Sequence, residues 1–157
     1  MAIEKVREYL KVYGLADKIQ VFDVSSATVE LAAIALGCKP ELIAKSLTFK
    51  IGDRTLLIVV AGNRKIDNTK FKSTFNSKAV MLSFEEVEEK IGHSVGGVCP
   101  FALNSGVEVY LDESIKDYDF VYPACGSSNS AIKLSIPELE KTSNYIKWVD
   151  VCKIKEG

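Results

Sequence analysis

The sequence predicts a mixed α/β fold: a curled, barrel-like sheet of about seven strands with about five flanking helices. Three observations point there. Apolar residues recur at helical spacing in some segments and alternate with polar ones in others. Several strand-like runs follow one another through short turns, which a regular βαβ wind would not allow. No repeat, linker or low-complexity stretch interrupts the 157 residues, so residues 1–157 are expected to form one domain.

Ile3, Val6, Leu10 and Tyr13 recur at helical spacing among charged neighbours, and Gly14 stops that helix. Val21 to Val24 reads as a short strand. Thr28 caps a helix that turns Val29, Ala32, Ala33 and Leu36 inward and ends at Gly37. Pro40 suits the first turn of a short helix. From Ala44 the period becomes two: Leu47, Phe49 and Ile51 alternate with Ser46, Thr48 and Lys50, and Gly52-Asp53 then turns the chain. Thr55 to Ala61 is almost wholly apolar, as a strand buried on both faces would be.

Asp67 or a neighbour opens a helix carrying Lys70, Phe71, Lys72 and Phe75. Ala79 to Leu82 is a strand, and Ser83-x-x-Glu86 forms a capping box for a helix ending at Gly92. Val107, Val109 and Leu111 form one strand face, Phe120 to Tyr122 a short strand, and Ile132, Leu134 and Ile136 another face. Ser135-x-x-Glu138 with Pro137 starts the next helix, and Tyr145 to Val151 reads as the last strand.

Composition excludes several classes. Hydrophobic residues at 47% with 26% charged and a mean hydropathy of +0.09 exclude a disordered chain. The longest apolar run, Leu56 to Ala61, falls far short of the roughly 18 residues of a membrane span. Met1 to Arg7 mixes charges of both signs with no apolar stretch, so no signal peptide is expected and the location is expected to be cytoplasmic. Cys38, Cys99, Cys125 and Cys152 lie far apart without a CxxC pair, so reduced thiols and no metal site are expected.

Twenty Lys and Arg nearly balance 21 Asp and Glu, yet Arg64, Lys65, Lys70, Lys72 and Lys78 cluster around the single acid Asp67. Charge alone favours a solvated helix face there and leaves a nucleic-acid contact open.

Three places could carry chemistry. Lys45 shares parity with Leu47, Phe49 and Ile51; it either projects onto the apolar face and lines a pocket, or marks the strand's edge. In His93 to Phe101, Gly96 and Gly97 let backbone approach a ligand, and Pro100 fixes the exit; the alternative is a tight connection without a ligand. Cys125 to Ser130 is rich in small polar residues that suit a pocket floor, an anion nest or a plain hairpin loop. His93 is the sole imidazole available to a cysteine or serine nucleophile. Asp112 could orient Lys45 or cap the following turn. Neither a P-loop nor a GxGxxG is present.

Lys45-Ser46-Leu47, the turn Gly62 to Asp67, the run Gly92 to Phe101 and the run Ala124 to Ile132 occur in an order and spacing that closely resemble the YbaK/EbsC family of free-standing aminoacyl-tRNA editing domains, relatives of the insertion domain of bacterial prolyl-tRNA synthetases. The likeness covers essentially the whole chain. It implies a mixed barrel-like fold and a trans-editing deacylase that hydrolyses the ester of a mischarged tRNA without cofactor or metal.

By that resemblance Lys45 and Gly97 are catalytic: the lysine positions the substrate's 3′ end, the Gly96-Gly97 loop holds the carbonyl, and the tRNA 2′-hydroxyl helps activate water. Phe22, Ser46, Gly96, Val98, Cys99, Pro100, Phe101, Gly126, Ser127 and Asn129 then bind substrate. Arg64, Lys65, Lys70 and Lys72 contact the acceptor stem. A synthetase is a further expected partner; DNA and membrane are not.

Some family members carry tyrosine in place of Phe22, and many carry glycine in place of Ala102. Cys125 and Ser127-Ser128-Asn129 differ from the cysteinyl-specific branch, so no amino-acid specificity is transferred. Two other readings stand beside the deacylase: a non-catalytic module binding tRNA or a synthetase, and an enzyme using Cys99 or Cys125 as nucleophile.

Overall fold

The structure is a computed structural model that describes residues 2–155. In chain order its strands are β1 (Gln20–Val21), β2 (Ile43–Ile51), β3 (Arg54–Ala61), β4 (Arg64–Ile66), β5 (Glu108–Asp112), β6 (Phe120–Pro123), β7 (Ser130–Ala131), β8 (Leu134–Ser135), β9 (Lys147–Val149) and β10 (Cys152–Ile154). The helices are α1 (Ala2–Lys11), α2 (Val29–Leu36), α3 (Asn68–Phe75), α4 (Phe84–Glu86) and α5 (Ile136–Ser143).

The hairpin β2–β3 is the centre. It pairs antiparallel from Ala44 opposite Ala61 to Ile51 opposite Arg54. Around it a curled, half-barrel mixed sheet runs in the order β8-β6-β2-β3-β5-β9, with β2–β6, β3–β5 and β5–β9 parallel. Two antiparallel ribbons, β1–β7 and β4–β10, flank it. Leu56 to Ala61 are each 0% exposed, because β3 feeds two cores. Leu57, Val59 and Ala61 join Val6, Leu10, Phe101 and Leu111, while Leu56, Ile58 and Val60 join Phe49, Phe71 and Val151. An all-apolar strand is thereby explained: either parity faces oil, and each such side chain contributes roughly 2 kcal/mol by leaving water.

The helix starts follow local chemistry. Thr28 accepts from the Leu31 N–H at 3.1 Å and Asp67 from the Lys70 N–H at 3.1 Å. Ser83 with Glu86, and Ser135 with Glu138, form complete capping boxes. After α4 the helix widens into one π turn, Val87–Ile91, which Gly92 ends with a φ of 95°.

Five expected elements differ. The first helix stops at Lys11 rather than Tyr13, and the strand expected over Val21–Val24 is only Gln20–Val21, ending where Phe22 bonds to Asn129. Ala79–Leu82 makes a single bridge, Met81 to Phe49, on the stretch of β2 that β6 leaves unpaired. Ile132–Ile136 is broken, since the chain leaves β1 at Ala131 and joins β6 at Leu134.

Tyr145–Val151 is also broken: β9 pairs with β5, but β10 crosses to β4. Asp112 is the pin for that crossover. It is 1% exposed; one carboxylate oxygen accepts from Val151 N–H and the other from Ser114 N–H, both at 2.9 Å. Of the two roles open to Asp112, capping the following turn is the one it fills.

Asp112→Ala strips both acceptors from buried N–H groups and is expected to lower stability by about 3 kcal/mol in urea unfolding, with Asp112→Asn, which keeps one acceptor, losing about half as much. A loss below about 1 kcal/mol in the alanine variant would contradict the pin.

Candidate functional site

Where α2, the start of β2 and the turn Val95–Gly97 meet, the fold leaves a cavity of about 200 Å³. Ala27, Val29 and Ala32 line it from one side, Lys45 and Ser46 from the sheet, Gly96 and Val98 from the turn, and Ser130 and Ala131 from β7.

Lys45 pairs with Val60 and keeps the parity of Leu47 and Phe49, which pack in the second core. It is half-buried, and its ammonium donates to the Arg64 carbonyl at the start of β4. Burial, then the charge of Lys155, holds its pKa below the ordinary lysine value, while Cys152 and Glu30 oppose that. The strand begins two residues before it, at Ile43, so Lys45 stands inside the strand rather than at its edge. The side chain lines the cavity, and its charge escapes the apolar face by reaching a backbone oxygen.

The glycine turn is held by contact, not by its own side chains. A Cβ on Gly97 would lie 2.5 Å from Ser127 N and 2.7 Å from Gly126 O, so the two backbones touch. A Cβ on Gly126, at φ 93°, would in turn meet Ala2 O at 2.8 Å and Val6 Cγ2 at 2.9 Å. Gly96 is looser, with 3.1 Å to Ser128 Cβ. The Gly97 N–H donates to Ser94 O at 2.9 Å, which corrects its expected part in holding a carbonyl. Gly96 and Val98 face the cavity instead.

Phe22, Ser127 and Asn129 form a latch rather than a pocket wall. Phe22 N–H donates to Asn129 O at 2.8 Å, and Asn129 Nδ2 returns a bond to Phe22 O at 3.0 Å. Ser127 Oγ lies 2.9 Å from Asn129 Oδ1 and 2.7 Å from Ser130 Oγ. Cys99 and Phe101 are 0% exposed in the main core, and Pro100 borders a separate depression with Tyr9 and Ala102. Of the residues expected to touch substrate, only Ser46, Gly96 and Val98 join Lys45 at the cavity.

His93 is 1% exposed; its Nε2 is 2.7 Å from Phe101 O and 3.5 Å from Cys99 Sγ. Its Nδ1 is buried with no partner among the described residues. Burial lowers its pKa, and burial pushes the Cys99 thiol up to about 12 and the Cys125 thiol up as well. Buried, protonated thiols are poor nucleophiles, so this geometry does not support the cysteine route. Gly92-His93-Ser94-Val95-Gly96 also has the GxSxG spacing, so that motif is not absent beside His93. Its Ser94 is exposed and follows the π turn instead of a strand, and the adjacent imidazole is bonded elsewhere. Among the described residues no three His, Cys, Asp or Glu side chains converge as a metal site would need.

The basic stretch divides. Lys70 is engaged internally, by Asp150 at 3.0 Å and Cys152 O at 2.9 Å, so it is a tie between α3 and β10. Lys72 is exposed beside a separate open depression of about 660 Å³ over α3. Arg64 has its Nε buried without a partner among the described residues. Lys65 is exposed, and the β4–β10 register sets Lys153 directly opposite it. Lys153 and Lys155 went unnoticed in the sequence because only strand pairing brings them near Lys65; their alternation in a short polar tail was the sole signal.

On the curled half-barrel, one lysine and a glycine turn thus border the same small cavity. The family model of the aminoacyl-tRNA editing domain matches residues 23–142, and the chain belongs to that family. Editing of aminoacyl-tRNA, a deacylase class of activity in translation quality control, is therefore its general class.

The chain is 49% identical to the uncharacterized protein YwhH of Bacillus subtilis over 154 residues, 98% of each. It is 30% identical to the proline–tRNA ligase of Bacillus velezensis over 142 residues, 90% of this chain and 24% of the ligase, so it spans about a quarter of such enzymes. Among solved structures, a proposed trans-editing enzyme for prolyl tRNA synthetase superposes with a TM-score of 0.86 at 28% identity, covering 99% of this chain and 98% of the other.

Ala102, where many family members have glycine, sits at φ 52°. Ala102→Gly is expected to raise stability by about 1 kcal/mol, whereas Gly97→Ala, forced into the Gly126–Ser127 backbone, should lose about 2 kcal/mol or more; equal effects in thermal unfolding would contradict this contrast. The His93 shift has a definite sign. With a folded pKa below the ordinary value of about 6.5, the unfolded chain takes the proton first, so His93's contribution is complete above about pH 6.5 and is lost as pH falls through the folded pKa. Stability measured at pH 7.5 and pH 5 should therefore fall less in His93→Gln than in the parent protein.

Proposed function

We propose that the chain is a trans-editing deacylase that hydrolyses the ester linking a mischarged amino acid to the terminal adenosine of tRNA. The observation that carries it is Lys45 at a small cavity lined by Gly96 and Val98, in a chain of the editing-domain family.

The ester is an activated acyl group, so holding it beside a water supplies much of the needed rate. Water attacks the carbonyl carbon, the oxyanion that develops is met by the backbone N–H groups of Gly96 and Val98, and the 3′-oxygen leaves with a proton to give free amino acid and tRNA. Lys45, released from the Arg64 carbonyl, holds the 3′ end; its depressed pKa follows from the same burial that makes an anionic partner favourable there. The substrate's 2′-hydroxyl orients the water. Gly97 and Gly126 act through packing, since their contact sets the height of the turn. The amino acid rests against Val29, Ala32 and Ala131, and a synthetase is a natural source of tRNA selectivity.

The test is deacylation of a panel of mischarged tRNAs by the parent protein and Lys45→Ala. Lysine-dependent release of one amino acid is expected, with turnover in the variant down at least about 100-fold while it still unfolds cooperatively. Full activity in Lys45→Ala would sink the mechanism. Release from no substrate, with tRNA still bound, would instead favour the binding-module reading.

A further inference from the structure

The ribbon β4–β10 carries an arrangement that the fold itself does not need. Lys65 and Lys153 are directly opposed in an antiparallel pair, and Lys155 continues the same face, its N–H bonded to Asn63 O at 2.9 Å. Opposed partners of this type have Cα atoms only about 5.5 Å apart and side chains on one side, and like charges so placed destabilise a sheet. All three lysines are exposed, and among the described residues none of them makes an ion pair. Asp67 is within reach of the Lys153 charge, but its carboxylate already caps α3.

This positive face adjoins the cavity. Lys45 donates to the Arg64 carbonyl on β4, and Lys155 is close enough to act on Lys45. At the other end of the link, a Cβ on Gly62, next to the ribbon, would lie 2.7 Å from Val29 Cγ1, and Val29 lines the cavity.

We propose that Lys65, Lys153 and Lys155 form a seat for an RNA phosphate backbone, and that it carries the tRNA strand whose end enters the Lys45 cavity. The second clause rests on the deacylase reading; the first does not. An acidic protein fits the ribbon less well. Protein interfaces centre on buried aromatic and apolar anchors, whereas this face offers ammonium groups alone, the footprint of sequence-independent phosphate contact.

Uncharged tRNA transcript is the probe, so binding is measured apart from turnover. Affinity of the parent protein, of K65Q/K153Q/K155Q and of a control with other exposed lysines changed, K11Q/K39Q/K141Q, is followed by fluorescence anisotropy across a salt series. The ribbon variant is expected to bind at least about tenfold more weakly at 0.1 M salt, with its log K against log salt slope flatter by roughly 2 to 3, while the control stays within about twofold.

Its melting temperature is expected to hold or rise, because a like-charge opposition has been removed; this separates lost binding from lost folding. Equal slopes in ribbon variant and parent overturn the proposal. So does polyglutamate that displaces tRNA as well as an RNA of equal charge does, since the seat would then suit acidic protein. A parent protein that binds tRNA through the ribbon but releases no amino acid upholds the seat and removes the deacylase reading alone.

Discussion

The contact between Gly97 and the Gly126–Ser127 backbone is what the site hangs on. Two loops from distant parts of the chain approach until no Cβ fits between them, and Gly126 is pressed from behind by α1 at Ala2 and Val6. The stack of helix, loop and turn determines how far the Val95–Gly97 turn stands from β2, and hence the depth of the cavity between them. At the point where Gly97 meets Gly126, no side chain intervenes in that arrangement. It is backbone against backbone, which gives it the stiffness of main-chain geometry rather than the softness of rotamers.

Electrostatics enters on a frame already built. Lys45 stands on a strand whose face belongs to the second core, and its charge is reconciled with that face by one carbonyl on β4. The same strand β4 presents Lys65 outward, opposite Lys153 of β10. Asp112 holds the crossover that makes β10 available at all, by taking the Val151 N–H at the point where the chain changes sheets. A buried carboxylate that does not itself line the cavity is thereby connected to the distribution of positive charge beside it.

Much of the fold was legible in the sequence. The capping residues Thr28, Asp67, Ser83 and Ser135 act within one helical turn, and the alternation in β2 and the apolar run in β3 reflect a side chain's immediate surroundings. Elements failed where a distant partner intervened: Asp112 split the last strand, and the transfer from β1 to β6 split Ile132–Ile136. The expected site residues part company in the structure. Lys45, Ser46, Gly96 and Val98 meet at the cavity, but Ser127, Asn129 and Phe22 hold one another, and Lys70 holds Asp150.

The sequence by itself determined where helices begin and which strand is buried on both faces, because capping and periodicity are properties of neighbouring residues. Only the tertiary structure decided that Gly97 needs to be glycine for lack of space, that Asp112 is a pin, and that Lys153 and Lys155 stand beside Lys65. Those facts depend on which segments, tens of residues apart, come into register, and register is settled by the burial of whole faces, to which no single stretch of chain has access.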